Sequence, residues 1–372
     1  MQKTVHQKTI VITGASAGVG RAAALRFARA GANLALIARD AQALNDLKSE
    51  VEAIGARAIV LPVDVADADA VFKAADIVAK SLGSIDVWIN NAMVTVFSPV
   101  WLITPGEFRR VTEVTYFGVV NGTMAALRHM RPRNHGTIIN VGSALAYRAI
   151  PLQAAYCGAK HAIRGFTDSL RSELIHARSA VAVAIVELPA VNTPQFDWAR
   201  THMPDQPRPV PPVVQPEVIA EVILRAALRP RREYWIGLST LKAVLANMIV
   251  PAYLDRYLAR NVFDQQGTRT PVPAARRDNL ITPVTGLHRV RGRFNNEASG
   301  SAVTMAGPVA RLIPLLTAGL GGLAIGLLVG SRGAEKRRLG LRRALFAWFQ
   351  GRAQLEHRRR ARSPFMPTMT VR

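Results

Sequence analysis

Tyr156 and Lys160 stand four residues apart, a spacing that sets them a turn apart on one helix face. A phenol ordinarily ionises near pH 10, too high for efficient proton exchange at neutrality. An ammonium one turn away favours the phenolate and is expected to lower that pKa. Ser143 lies thirteen residues earlier, just past a strand-like run, where its hydroxyl could hold a substrate oxygen while Tyr156 moves the proton. Isolated Tyr-x-x-x-Lys pairs arise often by chance, but a serine closing the preceding strand makes coincidence much rarer. The chemistry these three residues imply is proton transfer at a carbonyl or alcohol.

A second constellation opens the chain. Thr13-Gly14-Ala15-Ser16-Ala17-Gly18-Val19-Gly20 joins the first strand-like run to the first helical one. Gly14 permits a tight turn, Gly18 lets backbone approach a pyrophosphate, and Gly20 allows close helix packing. Ser16 and Val19 complete the loop, whose amides at the helix start face phosphates with a favourable dipole. At the end of the second strand Ala38 stands where an acidic residue would hold the ribose hydroxyls of NAD, and Arg39 follows it. A guanidinium there suits the 2′-phosphate of NADP, so NADP is expected over NAD, with the adjacent Asp40 opposing that preference.

The elements that must position these residues alternate regularly. Strands are predicted at Lys8–Thr13, Asn33–Ala38, Ala58–Val63, Ile85–Asn90, Thr137–Val141, Val181–Leu188 and Tyr234–Ile236, mostly apolar throughout, as in strands covered on both faces. Helical periods lie between them, as in Arg21–Ala30, Asp67–Ser81 and Pro216–Leu228. This is an α/β chain with a doubly wound, Rossmann-type parallel sheet of about seven strands. The proline-rich stretch Pro204–Pro216 reads as either a substrate lid or a stiff surface connector. Cys157, His161, Met124, Met130, Trp88 and Trp101 read as packing or surface residues, the methionines and tryptophans as core.

The loop Thr13–Gly20, the stretch Asn90-Asn91-Ala92 after the fourth strand, Ser143, and Tyr156 with Lys160 together resemble the short-chain dehydrogenase/reductase family in order and spacing, over about Lys8 to Leu238. The resemblance implies a nicotinamide cofactor, with Lys160 also gripping the nicotinamide ribose, Asp64 contacting the adenine and Asn91 in the cofactor site. It also implies a dimer or tetramer. Three positions depart from the family pattern: Met93 and Ala190 where glycine is usual, and Thr115 where an asparagine holds a relay water. A threonine hydroxyl can bind water but has a single oxygen.

Beyond Arg260 the character changes. Residues 1–260 read as the catalytic domain, 261–306 as an irregular arm containing Arg277-Asp278-Asn279-Leu280, and 307–372 as an apolar segment with a basic tail. Leu312–Gly330 has 19 uncharged residues, about the roughly 20 that cross a bilayer, although five glycines weaken it as a helix. Ser331–Arg372 holds twelve Lys or Arg against Glu335 and Glu356, a net +10 within a chain of +23. A membrane helix with arginines on anionic headgroups is expected, although a single span puts that tail on the side that positive charge disfavours. Leu238–Leu254 reads as a substrate-flanking helix, because Lys242, Asn247 and Pro251 suit no span.

One cysteine excludes an internal disulfide framework and suits a reducing, cytoplasmic compartment, and no signal-peptide pattern or metal-ligand spacing is visible. Charge alone makes no nucleic-acid reader. The expectation is an NADP-dependent oxidoreductase of a small, apolar, lipid-like substrate. Its alternatives are a dehydrogenase of ordinary small metabolites and a nucleotide-binding scaffold or sensor with weak turnover.

Overall fold

Every predicted strand forms, within about two residues of its expected ends. In the computed structural model, which describes residues 4–307, these are β1 (Thr9–Thr13), β2 (Asn33–Ala38), β3 (Ala58–Pro62), β4 (Ile85–Asn90), β5 (Thr137–Val141), β6 (Ala182–Glu187) and β7 (Glu233–Ile236). They run parallel in the order β7-β6-β5-β4-β1-β2-β3. An eighth strand, β8 (Thr304–Ala306), pairs antiparallel with β7 at the sheet edge. The sequence gives no sign of it: three residues are too few for a period.

The helices are α1 (Gly18–Arg29), α2 (Ala41–Ala53), α3 (Ala68–Leu82), α4 (Pro105–Thr112), α5 (Gly118–Met130), α6 (Ala154–His176), α7 (Pro216–Leu228), α8 (Leu238–Ile249) and α9 (Pro251–Asn261). Asp40 caps α2 through the Ala43 amide and Asp67 caps α3 through the Ala70 amide, each at 3.0–3.1 Å. On one face of the sheet Phe27, Leu44, Leu47, Ile219 and Ile223 pack on Ile10, Ile12, Leu34 and Leu36. On the other, Val71, Val78, Met130, Leu170 and Leu174 pack on Val11, Ala35, Ile37 and Trp88. Coverage on both faces is why the strands show no polar alternation.

Two packing expectations need correction. Trp101 is 76% exposed and Met124 52% exposed, so neither is core. Trp101 sits in a turn before α4, and Met124 on a face of α5 turned from the sheet, so hydrophobicity alone misplaced them. The 238–254 stretch is two helices, separated where Pro251 starts α9.

The arm is stitched to the sheet domain. Gly267–Pro271 pairs antiparallel with Asp205–Pro207, and Ala298–Ser299 pairs with Val213–Val214, which also pairs with Ala190–Val191. Leu312–Gly330 and the basic tail lie outside the described residues. Among the described residues no helix is long and apolar enough to cross a membrane.

Chain direction fixes where a ligand can sit. From β1 the chain winds outward through β2 and β3, then returns to β4 on the other side of β1. Loops leaving the C-terminal ends of β1 and β4 therefore diverge and open a crevice, the switch point at which such sheets bind ligands.

Candidate active site

The crevice is a cavity of about 390 Å³, bounded at one end by Gly14, Arg39 and Asp64 and at the other by Ser143, Tyr156 and Lys160. Ser16, Gly18, Val19 and Asn91 also line it. Of the predicted site residues only Gly20 and Thr115 do not.

The glycine loop has the shape of a phosphate cradle. Gly14 and Gly18 adopt positive φ of 66° and 57°, which favours residues without Cβ. A Cβ on Gly14 would lie 2.7 Å from the Ala92 Cα, and one on Gly20 only 2.1 Å from the Gly14 carbonyl oxygen. Gly20 thus acts by letting α1 close on the loop. Asn91 braces the turn, its side-chain amide donating to the Thr13 and Gly14 carbonyls at 3.0 and 3.2 Å. A dinucleotide's pyrophosphate fits this loop, which opens on the cavity at the amino end of α1.

At the other end, α6 places Tyr156 and Lys160 one turn apart, with Lys160 Nζ 5.5 Å from the Tyr156 ring centre. Ser143 follows β5, accepts the Leu145 amide at 3.1 Å, and lies near enough to the Tyr156 phenol to act on its ionisation. The three residues meet as the sequence implied.

The electrostatics differ from expectation. Burial pushes the Tyr156 phenol well above its usual range; the nearby Ser143 hydroxyl opposes this, while Cys157 and Glu187 add to it. Lys160, 3% exposed, donates to the Val141 carbonyl at 2.7 Å, and burial brings its amine down to about 8. Desolvation disfavours both charged forms and here outweighs the expected help from the ammonium.

Thr115 is fully buried, not on the cavity wall. Its hydroxyl accepts from the Val94 amide at 3.1 Å and donates to the Val94 carbonyl at 2.9 Å. The side chain expected to bind a relay water instead clamps the strand end behind Met93. It sits in a π-helical turn, Glu113–Phe117, between α4 and α5.

Cys157 packs as a buried thiol with its pKa raised to about 11 by burial, and His161 bonds the Cys157 carbonyl at 2.8 Å. Arg208–Pro212, from the proline-rich stretch, line the cavity, as do Ser239 and Ala243 of α8.

At the adenosine end the expected ligands have partners already. Arg39 donates to the carbonyls of Asn279, Leu280 and Ile281 at 2.5, 3.4 and 2.7 Å. Asp64 pairs with Arg110 and accepts the Ala66 amide at 3.0 Å.

The sequence reading missed three contributors. Asn279, Pro283, Val284 and His288 of the arm line the cavity; Arg277-Asp278-Asn279-Leu280 was a visible motif, but nothing local tied it to a cleft some 240 residues earlier. Arg208 lies in the stretch read as either a substrate lid or a stiff surface connector, in which no single residue stood out. Glu187, 0% exposed at the end of β6, has two carboxylate oxygens with no hydrogen-bond partner. Burial raises its pKa to about 8; Glu233 raises it further, while the Ser143 amide, Lys160 and Arg164 oppose. A Cβ on Gly142 would lie 2.2 Å from Glu187 Oε2, so the carboxyl sits against the strand end that holds Ser143.

Residues 8–203 match the family model described as short chain dehydrogenase. The chain is 31% identical to an uncharacterized oxidoreductase, YxnA, of Bacillus subtilis (strain 168), over 288 residues that cover 77% of this chain and 81% of that protein. A metagenomic short-chain oxidoreductase solved in complex with NADP is similar over 60% of this chain and 92% of its own, at 27% identity and a TM-score of 0.51. An alcohol dehydrogenase from the archaeon Thermococcus sibiricus, complexed with 5-hydroxy-NADP, is similar over 61% and 95%, at 27% identity and a TM-score of 0.54. A nicotinamide-type crevice at the switch point of a parallel sheet, together with these matches, places the chain in the short-chain dehydrogenase/reductase family of oxidoreductases.

Proposed function

We propose that this chain is an NADP-dependent oxidoreductase that interconverts a carbonyl and an alcohol, with Tyr156 as the general acid/base. The observation that carries this reading is the meeting of Ser143, Tyr156 and Lys160 at one end of a cavity whose other end is the glycine loop. When bound, the nicotinamide gives or takes the hydride. Ser143 holds the substrate oxygen, and the Tyr156 hydroxyl protonates that oxygen in reduction or accepts its proton in oxidation. A raised phenol pKa keeps Tyr156 protonated in the empty site, ready to act as the acid. Lys160 would hold the nicotinamide ribose, and its ammonium would favour the phenolate of Tyr156. Gly14, Ser16, Gly18, Val19 and Asn91 form the pyrophosphate and ribose cradle, Asp64 holds the adenine edge, and Arg39 selects the 2′-phosphate. The two structural relatives named above bind NADP-type cofactors, which agrees with that selection.

An apolar substrate is supported by Leu145, Ile150, Leu188, Val210 and Pro211 around the catalytic end. Residues 1–260 act as the catalytic domain, 261–306 as the arm and 307–372 as a tail. Attachment of that tail to a membrane rests on the sequence of 312–330 and the basic residues after it; fractionating cells that express the full chain or a 307–372 deletion tests it. Titrating NADPH and NADH into the protein tests the central reading. Submicromolar to micromolar NADPH binding supports it, and binding of neither nucleotide removes it.

A further inference from the structure

The cavity's adenosine end is closed by a segment beyond the sheet, and the contacts it makes are the ones a dinucleotide would use. The Gly18 amide, at the start of α1, donates to the Arg289 carbonyl at 2.9 Å. Arg39 donates to three successive carbonyls, Asn279 to Ile281. Arg110 Nε adds a donor to the Leu280 carbonyl at 3.1 Å. His288, which lines the cavity, meets Asp40 through Nε2 at 2.9 Å. The Leu280 side chain is fully buried in the core beside Val65.

We propose that Asn279–Arg289 is a specificity-determining strap over the adenosine end, which the 2′-phosphate of NADP(H) releases from Arg39 and the 2′-hydroxyl of NAD(H) does not. The inference rests on the cofactor reading above and adds the segment that enforces it. Arg39 hydrogen-bonds only neutral carbonyl oxygens, although Asp64 lies near enough to act on its charge. Charge-assisted bonds from a guanidinium to phosphate are about twice as strong as those to neutral acceptors, and are often bidentate. A 2′-phosphate therefore outcompetes the three carbonyls for Arg39. A neutral hydroxyl offers no gain over them and leaves the strap latched. Leu280, sealed in the core, limits release to a shift of the backbone carbonyls while the arm stays docked.

The test pairs cofactor titration with amide hydrogen exchange of the full chain, apo and saturated with NADPH or NADH, in wild type and Arg39→Ala. The reporting amides are those of Asn279, Leu280 and Arg289, bonded to the Trp198 carbonyl, the Asp278 carboxylate and the Leu287 carbonyl. The expected result is at least about tenfold faster exchange there with NADPH, the equivalent of losing one ordinary hydrogen bond, and no change with NADH. In Arg39→Ala the same amides exchange fast without ligand, and the preference for NADPH over NADH falls by about tenfold or more. If NADPH binds tightly and the amides do not respond, or respond equally to NADH, the strap proposal fails and the oxidoreductase reading stands. If neither nucleotide binds, both fall.

Discussion

At the adenosine end of the crevice Arg39, Gly18 and Asp40 all have hydrogen-bond partners from the arm, whereas at the catalytic end Glu187 has none and Tyr156 and Lys160 are desolvated. The first end is saturated and can change only by exchange of partners. The second is under-solvated, and a proton can change it. One fold thus carries a saturated, hydrogen-bonded end and a desolvated, poised end, separated by the width of the β1–β4 switch point. In the proposed reading, selectivity follows from what the arm must release, and reactivity from what burial has done to acids and bases.

The largest expected effect falls on the poised end. Tyr156→Phe removes the proposed proton donor but keeps the ring that packs against the core cluster. Turnover should drop by roughly 10²–10⁴-fold, the usual worth of a general acid/base, while NADPH affinity stays close to that of wild type. An equal loss in affinity would mean that Tyr156 serves binding rather than chemistry, and the two ends would no longer divide the work.

Leu280→Ala probes the saturated end from behind. The side chain is fully buried in the core cluster with Val65, so truncation should cost about 2–5 kcal/mol of stability, read from denaturant midpoints. It should also weaken the NADPH preference by freeing the carbonyls that Arg39 holds. A stability loss with unaltered preference would show that Leu280 anchors the arm without tuning the cofactor end.

How the two ends read from sequence differs for a physical reason. Strand periods, the glycine turn and the Tyr156–Lys160 spacing are local patterns, and each survived within a residue or two. The pairing of Arg39 with Asn279–Ile281 spans some 240 positions, and carbonyl oxygens leave no mark on residue type. Glu187 was hidden among apolar neighbours in a buried strand, where one acid does not disturb the pattern. Thr115 was read only as a departure from the family pattern, and its hydroxyl's use by the Val94 backbone comes with a π-helical turn that no period announces. The expected fall in the Tyr156 pKa counted a charge one turn away and left out the desolvation of both partners.

Glu187→Gln tests the poised end through pH. A carboxyl whose folded pKa is raised to about 8 keeps its proton where the unfolded chain loses it, so wild-type stability should fall as pH rises from about 5 to 8. Lys160, brought down to about 8, is protonated in both states below that value and adds no slope in the same window. The glutamine variant, always neutral, should lack this loss and become more stable than wild type by on the order of 2–4 kcal/mol at pH 8, with little difference at pH 5. Parallel stability curves for the two proteins across that window would show that Glu187 is ionised in the fold already.

The finest test separates two jobs of one side chain at the saturated end. Asp40 Oδ1 accepts the Ala43 amide and caps α2, while Oδ2 meets His288 on the strap. Asparagine keeps an oxygen for the cap but loses the charge, so Asp40→Asn should cost only about 0.5–1.5 kcal/mol, the worth of one hydrogen bond. Asp40→Ala loses both and should cost about 1 kcal/mol more. His288→Ala in the Asp40→Asn background then asks how much of the first loss belonged to the strap. A near-additive pair of losses would place the Asp40 contribution in the helix cap, and a shared loss would place it in the contact that ties the arm to the cofactor loop. The outcome matters because Asp40, the cap of α2, directly follows Arg39: a strap that holds the cap also fixes where the guanidinium points.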